Sequence, residues 1–427
     1  NLINGRRTVD GGDYQTIPSA MIERIEILKD GGAAAYGADA VAGVVNIITR
    51  RDFDGAEVEV LYADWADTND GDQTGISAVF GRSWDDGHFT VGVEYVDQTQ
   101  AYQSDAPWDF FQDSYFIYPG GCEAQTTAAW DGTTSGGCFP LGSSRIPEGR
   151  LRTLSQGTWM NEDGSGLVPF DGRSYNYAPV NYMQTPYKKT NIFLDGAFEL
   201  TDEITFSAQL RHNNRKSAQE LAPMPYNSPT DPAYNGVFNG VAYSGISPDN
   251  YYLQQAFSAA GLAPEPIIDA RRRMVETTRR FEQTIDQTQI NVQLDGDSLF
   301  GTDITWSAYY NWGRRSRDDL DFGQFFGPAL ANAMGPSADL NGDGTPECYQ
   351  DINDPSSVIA GCVPFNFFGG PYSVTQDMID YVGIDLVDSI NSELDQYGLD
   401  FAGSFWGLPG GELGWAIGYE HREEGLT

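Results

Sequence analysis

Long runs of two-residue alternation, joined by connections that are by turns very short and very long, constrain this chain more than any other feature. Phe89, Val91, Val93 and Tyr95 alternate with Thr90, Gly92, Glu94 and Val96. Ile204, Phe206, Ala208 and Leu210 alternate in the same way with Thr205, Ser207, Gln209 and Arg211. A period of two marks a strand whose faces meet different surroundings. Nine such strands are read near 55–65, 73–84, 88–99, 187–200, 203–216, 283–295, 302–315, 393–406 and 411–424. Each is about ten residues or longer, the length a tilted strand needs to cross a bilayer.

The connections carry the second half of the argument. Tight turns such as Asp85-Asp86-Gly87 and Pro409-Gly410-Gly411 alternate with long excursions at about 100–186, 217–282 and 316–392. Loops above about 15 residues are uncommon in compact soluble domains. A transmembrane β-barrel has this asymmetry, with tight turns at one rim and long loops at the other. A secreted double-sheet protein is the competing architecture, and it would scatter long connections over both ends. One face of each strand is apolar and the other carries Glu, Gln, Thr, Ser, Arg and Asn, as a lipid-facing band and a hydrated lumen require.

Composition excludes other classes. Asp and Glu number 61 against 25 Lys and Arg, a net charge of −36, so nucleic acid is not an expected partner. No Gly-x-Ser-x-Gly, Walker loop, Rossmann fingerprint or His-Glu-x-x-His occurs, and no catalytic residue or enzyme activity is expected. The four cysteines allow three pairings. Pairing of sequence neighbours gives Cys122–Cys138 and Cys348–Cys362, two loop disulfides that imply an oxidising compartment.

Residues 1–52 follow a different grammar and are read as a small mixed α/β piece ahead of the barrel at 53–427. The run Ile22-Glu23-Arg24-Ile25-Glu26-Ile27-Leu28-Lys29-Asp30-Gly31, followed by Ala35-Tyr36-Gly37-Ala38-Asp39-Ala40-Val41-Ala42-Gly43-Val44-Val45-Asn46-Ile47-Ile48-Thr49-Arg50, resembles the C-terminal half of the plug domain of TonB-dependent outer-membrane receptors. Asp30-Gly31 stands where many of these receptors have Gly-Pro. The resemblance implies a bacterial outer-membrane protein with this plug piece inside an antiparallel barrel. About nine strands of a family total near 22 would be present, with the signal peptide, TonB box and remaining strands outside this sequence. It further implies plug-gated uptake of a scarce nutrient, driven by TonB and its inner-membrane complex, in contact with outer-membrane lipid and lipopolysaccharide. A passive porin or surface adhesin without energy coupling is the alternative.

Several residues are candidates for function. Arg24, Asp39 and Arg50 are read as ion pairs that latch the plug to the wall. Trp108, Asp109, Phe110, Trp130, Tyr251 and Phe367 lie in long loops rich in aromatics, carboxylates and amides, which suit a sugar or a peptide. The competing reading makes such residues small cores that keep the loops folded. Asp339-Leu340-Asn341-Gly342-Asp343-Gly344 matches the start of a calcium loop, with Glu347 as a further oxygen donor, so a structural calcium is the one cofactor expected. Two basic clusters, Arg271-Arg272-Arg273 with Arg279-Arg280 and Arg314-Arg315 with Arg317, are read as paired with Glu276, Asp318, Asp319 and Asp321, or alternatively as holding an anionic ligand or lipopolysaccharide.

Overall fold

The computed structural model describes all residues except 1, 4–5, 8–15, 30–42, 52, 67, 69, 118–137 and 141. The opening segment forms a small sheet of β1 (Leu2–Ile3), β2 (Arg6–Arg7), β3 (Ile22–Leu28) and β4 (Val44–Thr49), in the order β2-β1-β4-β3. β3 and β4 are antiparallel and β1 runs parallel to β4.

Beyond it lies one nine-stranded antiparallel sheet whose strands pair in chain order. They are β5 (Gly55–Ala63), β6 (Gln73–Trp84), β7 (Gly87–Gln98), β8 (Tyr187–Thr201), β9 (Ile204–Leu221), β10 (Arg279–Gly296), β11 (Thr305–Phe325), β12 (Gly383–Leu408) and β13 (Gly411–Leu426). The sheet is open, with β5 and β13 as its edges. All nine alternating segments are strands here.

Register explains the two faces. Thr90, Asp195, Gln209, Asn291, Asn311 and Gln396 stand side by side across six strands. One residue along, Phe80, Val91, Leu194, Leu210, Ile290 and Trp312 form the corresponding row on the opposite face. Burial is inverted relative to a protein folded in water. Thr90, Asn191 and Asn311 are fully buried, whereas Phe80 is 49% and Val93 44% exposed. Large apolar side chains left open along a whole face need a non-aqueous surrounding, and lipid supplies it. Aromatic rings gather at the short-turn rim, where Trp84 lies 6.1 Å from Phe89 and 5.2 Å from Phe198. Rings at this depth match the interfacial girdle of a membrane barrel.

Several strands outrun their alternation. The expected ends at 216, 283, 315 and 393 move to Leu221, Arg279, Phe325 and Gly383. The added segments carry charges such as Arg280, Glu282, Asp319 and Asp388, and no greasy face marks them as strand. Their backbone ladder continues regardless, pairing Gln283 with Asp319 and Leu320 with Val387.

The described parts of the three long connections, 99–186, 222–278 and 326–382, fold together beyond the long-loop rim. They share one core that includes Leu151, Tyr226, Leu253, Phe257, Ala270, Leu330, Phe365, Phe367, Phe368 and Met378. Helices α1 (Tyr251–Ala259), α2 (Gly327–Ala333) and α3 (Gln376–Val382) contribute to it. α1 starts where the Asn250 side chain accepts from the N–H groups of Tyr252 and Leu253, and Leu253 and Phe257, four residues apart, face inward.

Cys348 and Cys362 form a disulfide across 14 residues of the third connection. A loop of this length stabilises by about 3 kcal/mol through lost unfolded-state entropy. Replacing both cysteines with serine should therefore make the 337–365 region cleavable by protease at distinctly lower urea. An unchanged cleavage profile would count against a stabilising role. Cys122, the expected partner of Cys138, lies outside the described residues.

Candidate functional site

Two regions have geometry that bears on function: the seat of the opening segment on the polar face of the sheet, and the folded loop module above it.

The seat is built by a short 3-10 turn, Ser19–Met21, just ahead of β3. Its Met21 is wholly buried, and with Ile17, Ala20 and Ile47 it packs against Val79 of β6 and Phe193 of β8. Burying a methionine of this kind stabilises by roughly 1.5–3 kcal/mol. The opposing wall position is Gly92, where an added Cβ would come within 2.1 Å of Met21 Cγ and 2.7 Å of its Sδ. The sheet therefore has a notch shaped for one side chain.

Polar contacts frame this knob. Arg211, buried on β9, donates to Thr16 Oγ1 at 2.8 Å and to Gln289 Oε1 at 2.6 Å. Ser19 Oγ donates to Glu94 Oε1 at 3.4 Å. Glu94 also accepts from Asn191 Nδ2 at 2.8 Å and pairs with Lys189 at 3.1 Å. Asn213 donates in turn to Asn191, so the network runs from β7 to β9. At the exit into β5, Arg50 pairs with Glu57 at 2.8 Å, and its N–H donates to Met21 O at 2.9 Å. Arg51 Nε lies 3.8 Å from Asp195, which also meets His88 at 3.3 Å and accepts from Gln209 at 2.6 Å.

Of the three residues read as a plug latch, Arg50 makes a link from the plug to the first wall strand. Arg24 pairs with its own neighbours Glu23 and Glu26 on an exposed strand. Asp39 lies outside the described residues. The residues that hold the seat, Thr16, Met21, Gly92 and Arg211, were not singled out beforehand. The one signal for them was an arginine and a glycine inside runs of lumen-facing polar residues.

In the loop module, Phe367 is fully enclosed, 5.3 Å from Tyr226 and 5.0 Å from Phe365. Tyr251 opens α1 and packs edge-on against Tyr252 at 5.3 Å. Trp108 is 54% exposed with the Phe111 ring 5.8 Å away, and Asp109 starts the short helix Asp109–Gln112. The side chains of Asp109 and Phe110, and the whole of Trp130, lie outside the description. Of the candidates whose side chains are described, Phe367 is core and Trp108 presents a ring to solvent.

The 339–347 turn is knit together by its own side-chain oxygens. Asp339 accepts from the N–H groups of Gly342, Asp343 and Gly344, and Asn341 accepts from that of Asp343. Asp343 accepts from the N–H of Thr345, while Glu347 takes the Tyr349 hydroxyl at 3.1 Å. Among the described residues no three His, Cys, Asp or Glu side chains converge to hold a metal. The oxygens serve the turn's own amides.

A buried acid stitches two loops. Glu265 accepts from the Ser155 N–H at 2.9 Å, its hydroxyl at 2.7 Å and the Gln156 N–H at 2.8 Å. Burial pushes the carboxyl upward, but hydrogen bonds from Ser155, Thr153 and Gln156 outweigh it and hold the pKa down to about 2. A carboxyl lowered in the folded state contributes stability above its unfolded value, about 4.3, and loses it as pH falls towards 2. The module should accordingly weaken between pH 5 and 2. Glu265→Gln should flatten that slope and cost about 1–3 kcal/mol at neutral pH, read from urea midpoints of loop proteolysis. A slope identical to wild type would remove Glu265 as its cause.

Residues 1–44 match the TonB-dependent receptor plug domain family. The vitamin B12 transporter BtuB of Photobacterium profundum is 48% identical over 52 residues, covering 11% of this chain and 9% of that protein. The BtuB of Vibrio vulnificus is 45% identical over 51 residues, covering 11% and 8%. The opening segment is therefore a TonB-dependent receptor plug domain. The matched stretches span about a tenth of these curated relatives. Among solved structures, a ferric enterobactin receptor mutant from Pseudomonas aeruginosa in complex with enterobactin aligns over 97% of this chain and 38% of its own, at 14% identity and a TM-score of 0.42. The segment ahead of β5 carries the family match, and the sheet it sits on has the polar inner and apolar outer faces of a membrane barrel wall.

Proposed function

We propose that this receptor imports a scarce nutrient across the outer membrane, with the plug closing the lumen until TonB and its inner-membrane complex pull on it. The observation that carries this reading is the plug seat: Met21 in the Gly92 notch, with Thr16 held by Arg211 on the inner wall. A passive porin or adhesin has no use for a separate element keyed into its wall. Each hydrogen bond around the seat contributes only about 0.5–1.5 kcal/mol net and is exchangeable with water once the lumen wets, which suits a reversible closure. The folded loop module would capture the ligand, with exposed Trp108 as one contact and Asp109, Phe110, Trp130 and Tyr251 as further candidates.

The ligand class favoured is an oligosaccharide or peptide, because the described residues bring no cluster of metal-holding side chains together. Matches of about 50 residues carry no ligand over from the vitamin B12 transporters. The test is growth of a strain deleted for this gene on a panel of sole nutrients, with the complete gene restored in backgrounds with and without TonB. Loss of growth on one nutrient, rescued only when TonB is present, is the expected result. Rescue that does not depend on TonB would return the protein to the passive class.

A further inference from the structure

The loop module holds a five-stranded sheet in which Arg150–Thr153 pairs with Ile267–Arg273, and that strand in turn with Pro225–Asn227. Register sorts its side chains cleanly. Leu151, Ala270, Tyr226 and Arg272 point to the core, as their burial shows. Arg150 stands opposite Arg271, and Arg152 opposite Asp269, so these lie on the other face together with Arg273. Like charges placed directly opposite in a sheet are destabilising. Four arginines stand on one small face in a chain of net charge −36, and the Asp269 carboxylate there pairs with two of them, Arg150 and Arg271.

Arg145 adds a fifth. Its neighbours tie it to the same face: Ser143 Oγ accepts from Arg273 at 2.9 Å and Ser144 Oγ from Arg271 at 3.1 Å. Other acids near by are engaged, Glu148 with Arg173, Glu265 with Ser155 and Glu276 with Arg272. Among the described residues neither Arg145 nor Arg152 has a carboxylate within ion-pair distance, and Arg152 is exposed. The Arg273 guanidinium is pushed down to about 10 by burial and by its arginine neighbours Arg145 and Arg279, so the crowding is felt. Aromatic faces back the charges: Arg150 lies over Phe170 at 5.6 Å and Arg273 over Tyr175 at 5.3 Å.

We infer that this arginine face is an anion-binding subsite that takes a carboxylate or phosphate group of the captured ligand, Arg145, Arg150 and Arg152 making the contacts while Arg271 and Arg273 supply the field. The inference deepens the uptake reading, and rests on it, by assigning an acidic ligand. Planar guanidinium groups suit two-point binding of such anions. The phosphates of lipopolysaccharide share this chemistry, but the face belongs to the loop module and not to the lipid-facing band, which favours a soluble ligand.

The test uses the purified receptor in detergent and calorimetric titration with inorganic phosphate, trigalacturonate, neutral maltotriose and lipopolysaccharide micelles. Phosphate and trigalacturonate should bind, more weakly as salt rises, and the double variant Arg145→Ala/Arg152→Ala should lose at least tenfold in affinity. Binding of maltotriose should not differ between the two proteins. Both substituted side chains lack carboxylate partners, so the loop proteolysis pattern should be unchanged, and Arg145→Lys/Arg152→Lys should recover part of the affinity. No binding of the soluble anions, equal binding by the alanine variant, or binding of lipopolysaccharide alone would each overturn the inference. Because nothing is transported in this assay, its failure leaves the TonB-dependent growth test intact, and the reverse also holds.

Discussion

Arg272→Met should destabilise the loop module by roughly 3–5 kcal/mol, the cost of stranding a buried charge. Arg272 is fully buried where two connections meet. Its Nη1 donates to Asn366 O at 2.8 Å, and its Nη2 to Gly370 O at 2.8 Å and Glu276 Oε1 at 2.6 Å. Methionine fills much the same space but leaves the Glu276 carboxylate without its cation and Asn366 O without the Arg272 donor, while Gly370 O keeps the Ser373 hydroxyl. The double variant Arg272→Met/Glu276→Leu separates the causes. Replacing both partners of a buried pair by apolar groups is often nearly neutral, so the double variant should recover more than half of the loss. The measurement is the urea dependence of protease cleavage within 222–278 and 326–382, with the barrel's far-ultraviolet signal as an internal reference. A single variant within 1 kcal/mol of wild type would sink the argument. A double variant no better than the single would shift the weight from the ion pair to the carbonyl contacts.

This pair also marks where sequence reading stops. The barrel strands are legible because lipid imposes a requirement at every second residue, and that requirement is local in sequence. It lapses beyond the membrane: the stretches 279–282, 316–325 and 383–392 have charged residues on both faces, 217–221 is polar with Glu220 its one charge, and backbone pairing keeps all four extended. The loop module is illegible for a different reason. Its strands are two to seven residues long, and Leu151 finds Ala270 across more than a hundred residues of chain. No periodicity builds up over such lengths. Phe367 and Trp108 look alike in sequence, aromatics among turn residues, yet one is core and the other exposed. Arg271-Arg272-Arg273 stands out as a cluster, but the pleat sends Arg272 inward to Glu276 and its neighbours outward. The outward pair becomes part of an arginine face only when Arg150 and Arg152 arrive from the other loop. The plug, by contrast, was readable as a resemblance, while its seat required three separate segments to meet.

The seat offers the sharpest test of how the lumen is closed. At Gly92 the smallest possible addition, alanine, meets Met21 Cγ at 2.1 Å, and Met21 has no room to retreat among Ile17, Ala20, Ile47, Val79 and Phe193. Overpacking of this kind costs about 1–3 kcal/mol. Leucine cannot be housed at all, so Gly92→Leu should lift the turn Ser19–Met21 off the wall and break the Arg211–Thr16 contact with it. Cells carrying this variant of the complete receptor should become permeable to a large antibiotic that the outer membrane normally excludes, without any need for TonB. Met21→Ala alone removes the knob and leaves a cavity, a loss of about 2–5 kcal/mol. It also empties the space that Gly92→Ala needs, so the pair Gly92→Ala/Met21→Ala should be less harmful than the sum of its parts by at least 1 kcal/mol, a coupling that only contacting residues show. Strict additivity would mean that the two residues do not meet in the membrane. If Gly92→Leu cells stay sealed while the protein reaches the outer membrane in normal amount, closure must be held elsewhere along the plug, and the seat is a passive contact and not the gate.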